Sequence, residues 1–395
     1  MKQSLYGYTL DGLVQLCLDN DLKKFNGEQI LRWLYRSQVK NIDEMTNLSL
    51  AVREKLKEKY DIYLPKVIKK QVSQDGTIKF LLQLEDGNLV ETVLMRYVYG
   101  NAVCVSSQVG CNMGCSFCAS GLLKKIRNLT AAEMVAEVMT VQFELNKTNE
   151  RVSHVVIMGI GEPLDNYDNV MQFIYCINEA KGLAIGARHI SVSTCGLVPK
   201  IKQLANEKLQ INLAISLHAS NNQIRDKIMK INHVYNMDVL KEALLEYCSK
   251  TNRRLTFEYI LLKDINDKTE NALELVKWLE GTCSYVNLIP YNAVNEAIYQ
   301  RSDENSINNF YNLLKKYKIN ATIRREFGKD IEAACGQLRA KSEGQKHESS
   351  SKDWYRFSSF FQRRYILICS KRWKQFHCFC LWWNGRTFRR SLCFT

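Results

Sequence analysis

Residues 102–121 read AVCVSSQVGCNMGCSFCASG, and the parsing of this stretch decides the rest of the chain. Its first six residues are a short apolar run closing on two serines, the composition of a buried strand. The remainder is a loop that carries Gly110, Gly114 and Gly121 among three cysteines, Cys111, Cys115 and Cys118, spaced C-x3-C-x2-C. A closed structural metal site takes four ligands, so the loop is one short. Three thiolates on an iron–sulfur cluster leave one iron open to a further ligand. The alternative is a zinc or four-cysteine site completed by Cys104, seven residues upstream and inside the strand.

Downstream the chain alternates strands with helices. Strands are expected at 102–107, 153–158, 189–194, 211–217, 255–262, 285–290 and 319–324. Helices fall near 168–180, 237–250, 269–280 and 303–317, and a further one starts at the capping box Thr130 to Glu133. Six or so βα units in series imply an α/β fold, a parallel sheet curved into a full or partial barrel. Functional side chains then belong at the carboxyl ends of the strands.

Upstream, residues 1 to about 62 read as three helices, built on Leu13, Leu16 and Cys17, on Ile30, Leu31 and Leu34, and on Leu48, Val52 and Leu56. After Pro65 come period-two runs with Asp75-Gly76 and Asp86-Gly87 turns, an antiparallel β connector. The boundaries are 1–64 for an N-terminal helical accessory domain, 65–101 for the connector, and 102–341 for the barrel core with its C-terminal cysteine loop. Residues 342–395 form a basic aromatic tail. Four of the six tryptophans lie there, without periodicity, and the expectation is a segment with no fold.

The formal charge of +14 suggests a polyanionic partner, but +8 of it lies in the tail, leaving +6 for residues 1–341. No apolar run is long enough for a membrane span, and the N-terminus lacks a signal-peptide pattern; the expected location is the cytoplasm, with no membrane partner. Fourteen cysteines in a reducing compartment point to metal or catalysis where they cluster, and to buried small hydrophobes elsewhere, as at Cys17, Cys176, Cys248 and Cys283.

Further motifs sit where strands end. "MGIGEPLDN" follows the second strand and supplies Gly161 and Glu162; Ser193 closes the third in "SVSTCG"; "SLHAS" closes the fourth with Ser216, Leu217 and His218; Asn292 follows the sixth in "IPYNAV". Ser, His and Asn there offer directional hydrogen bonds to ribose, carboxylate or base. Near the end, "DIEAACGQL" places Cys335 beside Gly336.

The cysteine motif after the first strand resembles that of the radical S-adenosylmethionine superfamily, in which the cofactor's amino and carboxylate groups occupy the open iron. With "ETV" at Glu91, "GIGEPL", "ISLHAS" and "AACGQL" in that order, residues 1 to about 341 resemble the RlmN/Cfr family of radical RNA methyltransferases. The resemblance implies a partial (β/α)6 barrel and one 4Fe–4S cluster on Cys111, Cys115 and Cys118. It implies S-adenosylmethionine held by Gly161, Glu162, Ser193, Ser216, Leu217, His218 and Asn292. Two cofactor molecules are used: one methylates Cys335, and the other yields the radical that activates this methyl for addition to adenine C2. Glu91 then takes the adenine proton, and Cys104 releases the product by forming a disulfide with Cys335.

The implied substrates are adenine 2503 of 23S rRNA and adenine 37 of some tRNAs. An electron donor such as flavodoxin or ferredoxin reduces the cluster, and the protein acts as a monomer. Cfr-type methylation at C8 of the same rRNA base, and a non-catalytic zinc-containing RNA-binding protein, are the rival readings. Lys124, Lys125, Arg127, Arg324 and Arg325 are the candidate RNA contacts, and Cys195 stands where relatives frequently carry serine.

Overall fold

The computed structural model describes residues 2–293, 297–334 and 336–338, and the backbone of three strands within 365–392. Cys335 lies outside the described residues. Residues 1–340 form one compact unit and 341–395 a second.

Three helices open the chain. The first, α1 (Leu10–Asp19), is capped by Thr9, whose hydroxyl accepts from the Gly12 N–H. Next, α2 (Lys24–Arg32) starts where the Asn26 side chain reaches back to the Lys23 N–H, and runs on into a π-helical turn, Trp33–Ser37. Ser49 caps α3 (Leu50–Lys59). The buried residues Leu13, Leu31, Leu34 and Tyr35 belong to the same apolar core as Met134, Phe173 and Ile177 of the barrel helices. The helical module therefore shares its core with the barrel instead of closing on its own.

The connector strands β1 (Lys66–Val72), β2 (Ile78–Gln83) and β3 (Leu89–Tyr97) form antiparallel hairpins, with the Asp75 and Asp86 carboxylates accepting from the Thr77 and Asn88 N–H groups at the two turns. They are not a separate layer. Strand β3 pairs antiparallel with β4 (Gly100–Val105), which is also the first strand of the parallel series. The series continues through β5 (Val152–Ile157), β6 (Ile190–Thr194), β7 (Asn212–Ser216), β8 (Leu255–Leu261), β9 (Ser284–Pro290) and β10 (Asn320–Ile323), side by side in sequence order. One ten-stranded sheet results, with β1 and β10 at its edges. All seven expected strands of the series are present, within one or two residues.

The helices that cross between parallel strands are α4 (Ala131–Leu145), α5 (Tyr167–Asn178), α6 (Val198–Leu204), α7 (Asn222–Ile228), α8 (Met237–Thr251), α9 (Thr269–Leu279) and α10 (Glu304–Lys316). The Thr130–Glu133 capping box is formed at the start of α4. In α10 the buried residues Ile307, Phe310 and Leu314 recur at i, i+3 and i+7, one stripe against the sheet. No helix among the described residues is long and apolar enough to cross a membrane.

In the second unit, strands Tyr365–Arg372, Gln375–Trp383 and Phe388–Leu392 pair antiparallel. The sequence reading expected no regular structure there. Tyr, Ile, Phe, Cys and Trp fill these segments, and such residues favour extended backbone even where no alternation marks a strand. Two of the cysteines expected to be buried are not: Cys283 is exposed in the turn before β9, and Cys248 is half-buried. Both stand at element ends, where an apolar neighbourhood in sequence does not mean a covered one in space.

Candidate active site

The cysteine loop is pinched at its base. Gln108–Val109 pair antiparallel with Arg127–Asn128, so residues 110–126 leave the barrel rim and return to it. Gly110 sits in the left-handed region (φ +75°), and a Cβ there would fall 2.2 Å from the Lys124 carbonyl oxygen. Further backbone bonds fix the fold of the loop: Cys111 N–H to Leu123 O (3.1 Å) and Ser116 N–H to Ile228 O (3.0 Å). Two more tie it to the chain end. Ala119 N–H donates to Gly336 O, and Ser120 Oγ to Leu338 O, each at 2.7 Å.

Cys111, Cys115 and Cys118 line one cavity at the carboxyl ends of the parallel strands. Gly161 and Glu162 after β5, Ser193 of β6, Ser216 and His218 at the end of β7, Ile260 of β8, Ile289 of β9 and Arg324 after β10 line the rest of it. The rim position expected from a βα series is therefore occupied.

Each of these side chains is locally constrained. Gly161 has φ +111°, and a Cβ would lie 2.6 Å from Cβ of Gln108. Glu162 is buried; one carboxylate oxygen accepts from Leu164 N–H (3.0 Å) and the other from Cys195 N–H (2.8 Å). Burial raises its pKa, and the bond from Cys195 works against that rise. Ser193 and Ser216 hydroxyls lie 3.3 Å apart. His218 occupies the left-handed region (φ 57°), accepts the Ile260 N–H at Nδ1 (3.0 Å) and packs edge-on to Phe117. Burial, with Arg225 adding to it, pushes its pKa down to about 3. His218 is therefore neutral, with its proton on Nε2.

Sequence reasoning passed over Arg225. Its guanidinium is fully buried and donates to carbonyls of Cys195 (2.6 Å), Leu217 (3.2 Å), Ser216 and Tyr235, and to Asn232 Oδ1 (3.0 Å). It thus clamps the ends of β6 and β7, which carry Ser193, Ser216 and His218. In the sequence it reads as one more cation of a surface helix; the only signal is its place three residues before the buried Ile228. Glu137 of α4 is a second omission. It is fully buried, accepts the Ser106 N–H at the end of β4 (3.0 Å), and burial raises its pKa well above the carboxylate range.

The remaining expected residues lie beside this cavity. Leu217 is packed in the core. Cys104 and Asn292 line a small neighbouring cavity, together with Ala333, Ala334 and Leu338. Cys104 is thus not placed with the other three cysteines as a fourth metal ligand. Glu91 lines neither cavity; it is buried and paired with Lys79 (3.4 Å), whose ammonium also donates to the Glu332 carbonyl (3.1 Å). The residues flanking Cys335 divide between the cavities: Gly336 lines the first and Ala334 the second.

Three of the proposed RNA contacts are engaged within the chain. Lys125 pairs with Asp165 (2.7 Å), and Arg127 with Asp86 and Glu133. Arg324 meets Glu258 at 3.5 Å. These cations fasten the loop and the barrel.

The donor set fits an iron–sulfur cluster. Burial pushes the Cys111 thiol up to about 12 and raises that of Cys115 as well, so both are protonated at neutral pH unless a cation neutralises them. Iron supplies that charge and takes thiolate ligands.

Residues 105–276 match the family model of the radical SAM superfamily, and residues 3–62 that of the ribosomal RNA large subunit methyltransferase N-terminal domain. Over 341 residues the chain is 56% identical to a probable dual-specificity RNA methyltransferase RlmN of Spiroplasma citri, covering 86% of this chain and 98% of that protein. Its identity to the protein of the same description from Enterococcus faecalis is 54%, over 86% of this chain and 97% of the relative. Among solved structures, a radical SAM methyltransferase from Sphaerobacter thermophilus superposes with a TM-score of 0.83 at 40% identity, covering 86% of this chain and all of that one. Fold, cysteine loop and sequence agree: this chain belongs to the RlmN family of radical S-adenosylmethionine RNA methyltransferases.

Proposed function

We propose that this enzyme methylates C2 of adenine 2503 in 23S rRNA and of adenine 37 in some tRNAs, with Cys335 as the methyl carrier. As a member of the radical SAM superfamily it uses a 4Fe–4S cluster and S-adenosylmethionine, which supply the methyl group and the radical that activates it. Cys111, Cys115 and Cys118 are the cluster ligands. Gly161, Glu162, Ser193, Ser216, Leu217, His218 and Asn292 hold the cofactor.

The observation that carries this reading is the division of Cys335's neighbours, Gly336 facing the cysteine cavity and Ala334 the cavity of Cys104. The reading asks the carrier to receive a methyl group near the cluster ligands and later to be attacked by Cys104, and the carrier's two chain neighbours adjoin the cavities of both. Glu91 takes the adenine proton, and Lys79 beside it holds the Glu332 carbonyl just upstream of the carrier. The Cys104 thiolate then attacks Sγ of Cys335; the sulfur–carbon bond breaks, its electron pair goes to the methylene carbon on the base, which takes up a proton to become the methyl group, and a Cys104–Cys335 disulfide is left. A thiol reductant reopens that disulfide before the next turnover.

The reading also includes cytoplasmic location, a monomeric enzyme, a flavodoxin or ferredoxin as reductant, and residues 1–64 as an RNA-holding module. Nucleoside analysis of RNA methylated by the purified enzyme tests it: 2-methyladenosine is expected, and 8-methyladenosine would replace it by the Cfr reaction.

A further inference from the structure

A second chamber, of about 840 Å³ and open to solvent, occupies the amino-terminal part of the same hollow. The period of two along the strands shows the continuity. Ser191 of β6, Ala214 of β7 and Thr256 of β8 line the chamber; two residues or four further along, Ser193, Ser216 and Ile260 line the cysteine cavity. Met158, Glu258 and Arg324 line both.

The chamber is cationic. Arg188, Arg253, Arg254 and Arg325 line it, and among the described residues none of the four is ion-paired. Arg253 reaches only the neutral Asn212 (2.7 Å) and Gln210; Arg254 stacks on Tyr285 and Arg325 on Phe327. Arg188 is close enough to Arg253 to lower its proton affinity, in addition to burial. The carboxylate of the lining, Glu258, is taken by Arg324 and Asn287. At the mouth Tyr97 stacks on Tyr99 (4.7 Å), and Tyr99 is 66% exposed. Like charges held together without counter-ions call for an anion. S-Adenosylmethionine, with its sulfonium, is the wrong partner; a phosphodiester chain with stackable bases is the right one.

We propose that RNA enters through this chamber, with Arg188, Arg253, Arg254 and Arg325 gripping phosphates and Tyr99 stacking on a base. The target adenine passes Met158 and the Glu258–Arg324 pair to reach the cysteine cavity. This rests on the reading of the enzyme as an RNA methyltransferase, and it moves the phosphate footprint away from the cysteine-loop cations named from sequence.

The test is fluorescence anisotropy of the cluster-loaded protein with a fluorescein-labelled hairpin RNA whose loop carries an unpaired adenine. In R253Q/R254Q, affinity is expected to fall about tenfold or more, from the loss of two charge-assisted contacts. The slope of log affinity against log salt should shrink by about 1.4. R253K/R254K, keeping both charges, should recover most of that slope. K315Q/K316Q, removing two exposed charges from the end of α10, should change neither quantity. Y99A, at an exposed ring, should weaken binding about fivefold or more with the salt slope unchanged. Wild-type affinity and slope in both R253Q/R254Q and Y99A, from protein that still methylates the hairpin, would overturn the chamber and leave the methyltransferase reading standing. Wild-type protein that neither binds nor methylates the hairpin would overturn both.

Discussion

Ala119, the residue after Cys118, donates its backbone N–H to the carbonyl of Gly336, the residue after Cys335, at 2.7 Å. Two segments more than two hundred residues apart are thus joined beside two of the cysteines that the proposed reaction uses. Ser120 adds a side-chain bond to Leu338. Removing it with S120A should cost about 1 kcal/mol locally. Hydrogen exchange at residues 333–338 should then quicken while the barrel strands keep their protection.

The Arg225 clamp predicts a second outcome. R225M leaves strand-end carbonyls buried without donors, a loss of about 3 kcal/mol. R225K keeps the charge but cannot span the same carbonyls, so it should recover only part of this. Urea unfolding measures the stability, and S-adenosylmethionine titration should show weaker binding in both, since Ser193, Ser216 and His218 hang on those strand ends.

Gly161 admits no side chain. G161A forces a Cβ onto Gln108 at a φ of +111°, a strain of about 1–3 kcal/mol that is relieved by moving the Glu162 segment. Isothermal titration should find cofactor binding lost before overall stability is.

His218 makes stability depend on pH in one direction. Its folded pKa, about 3, lies below that of an exposed histidine, so the unfolded chain binds the extra proton. Its contribution is therefore complete above about pH 6.5 and is lost as the pH falls from there toward 3, by at most about 1.4 kcal/mol per unit. Denaturant unfolding of wild type and H218Q at several pH values should show a gap that narrows toward acid.

Much of this was legible in the chain. Short apolar runs gave the parallel strands because a strand covered on both faces needs no alternation, and the cysteine spacing marked the loop that lines the rim cavity. Burial was not legible. Arg225 looks like a surface cation until neighbouring carbonyls surround it, and Glu137 like a helix-face carboxylate until α4 packs on β4. The connector's place in the main sheet was hidden too, since hairpin turns specify their own pairing but not the outer partner of β3. Nor could sequence show that Lys125 and Arg127 meet carboxylates from distant loops, while four arginines from three separate segments converge on one chamber.

The central claim is that Cys335 carries the methyl group. Protein loaded with iron and sulfide without oxygen, supplied with S-adenosylmethionine, should yield a peptide containing Cys335 that is heavier by one methyl group in mass spectrometry, with Cys104 unmodified. An unmodified Cys335 in protein whose cluster is intact would contradict the account.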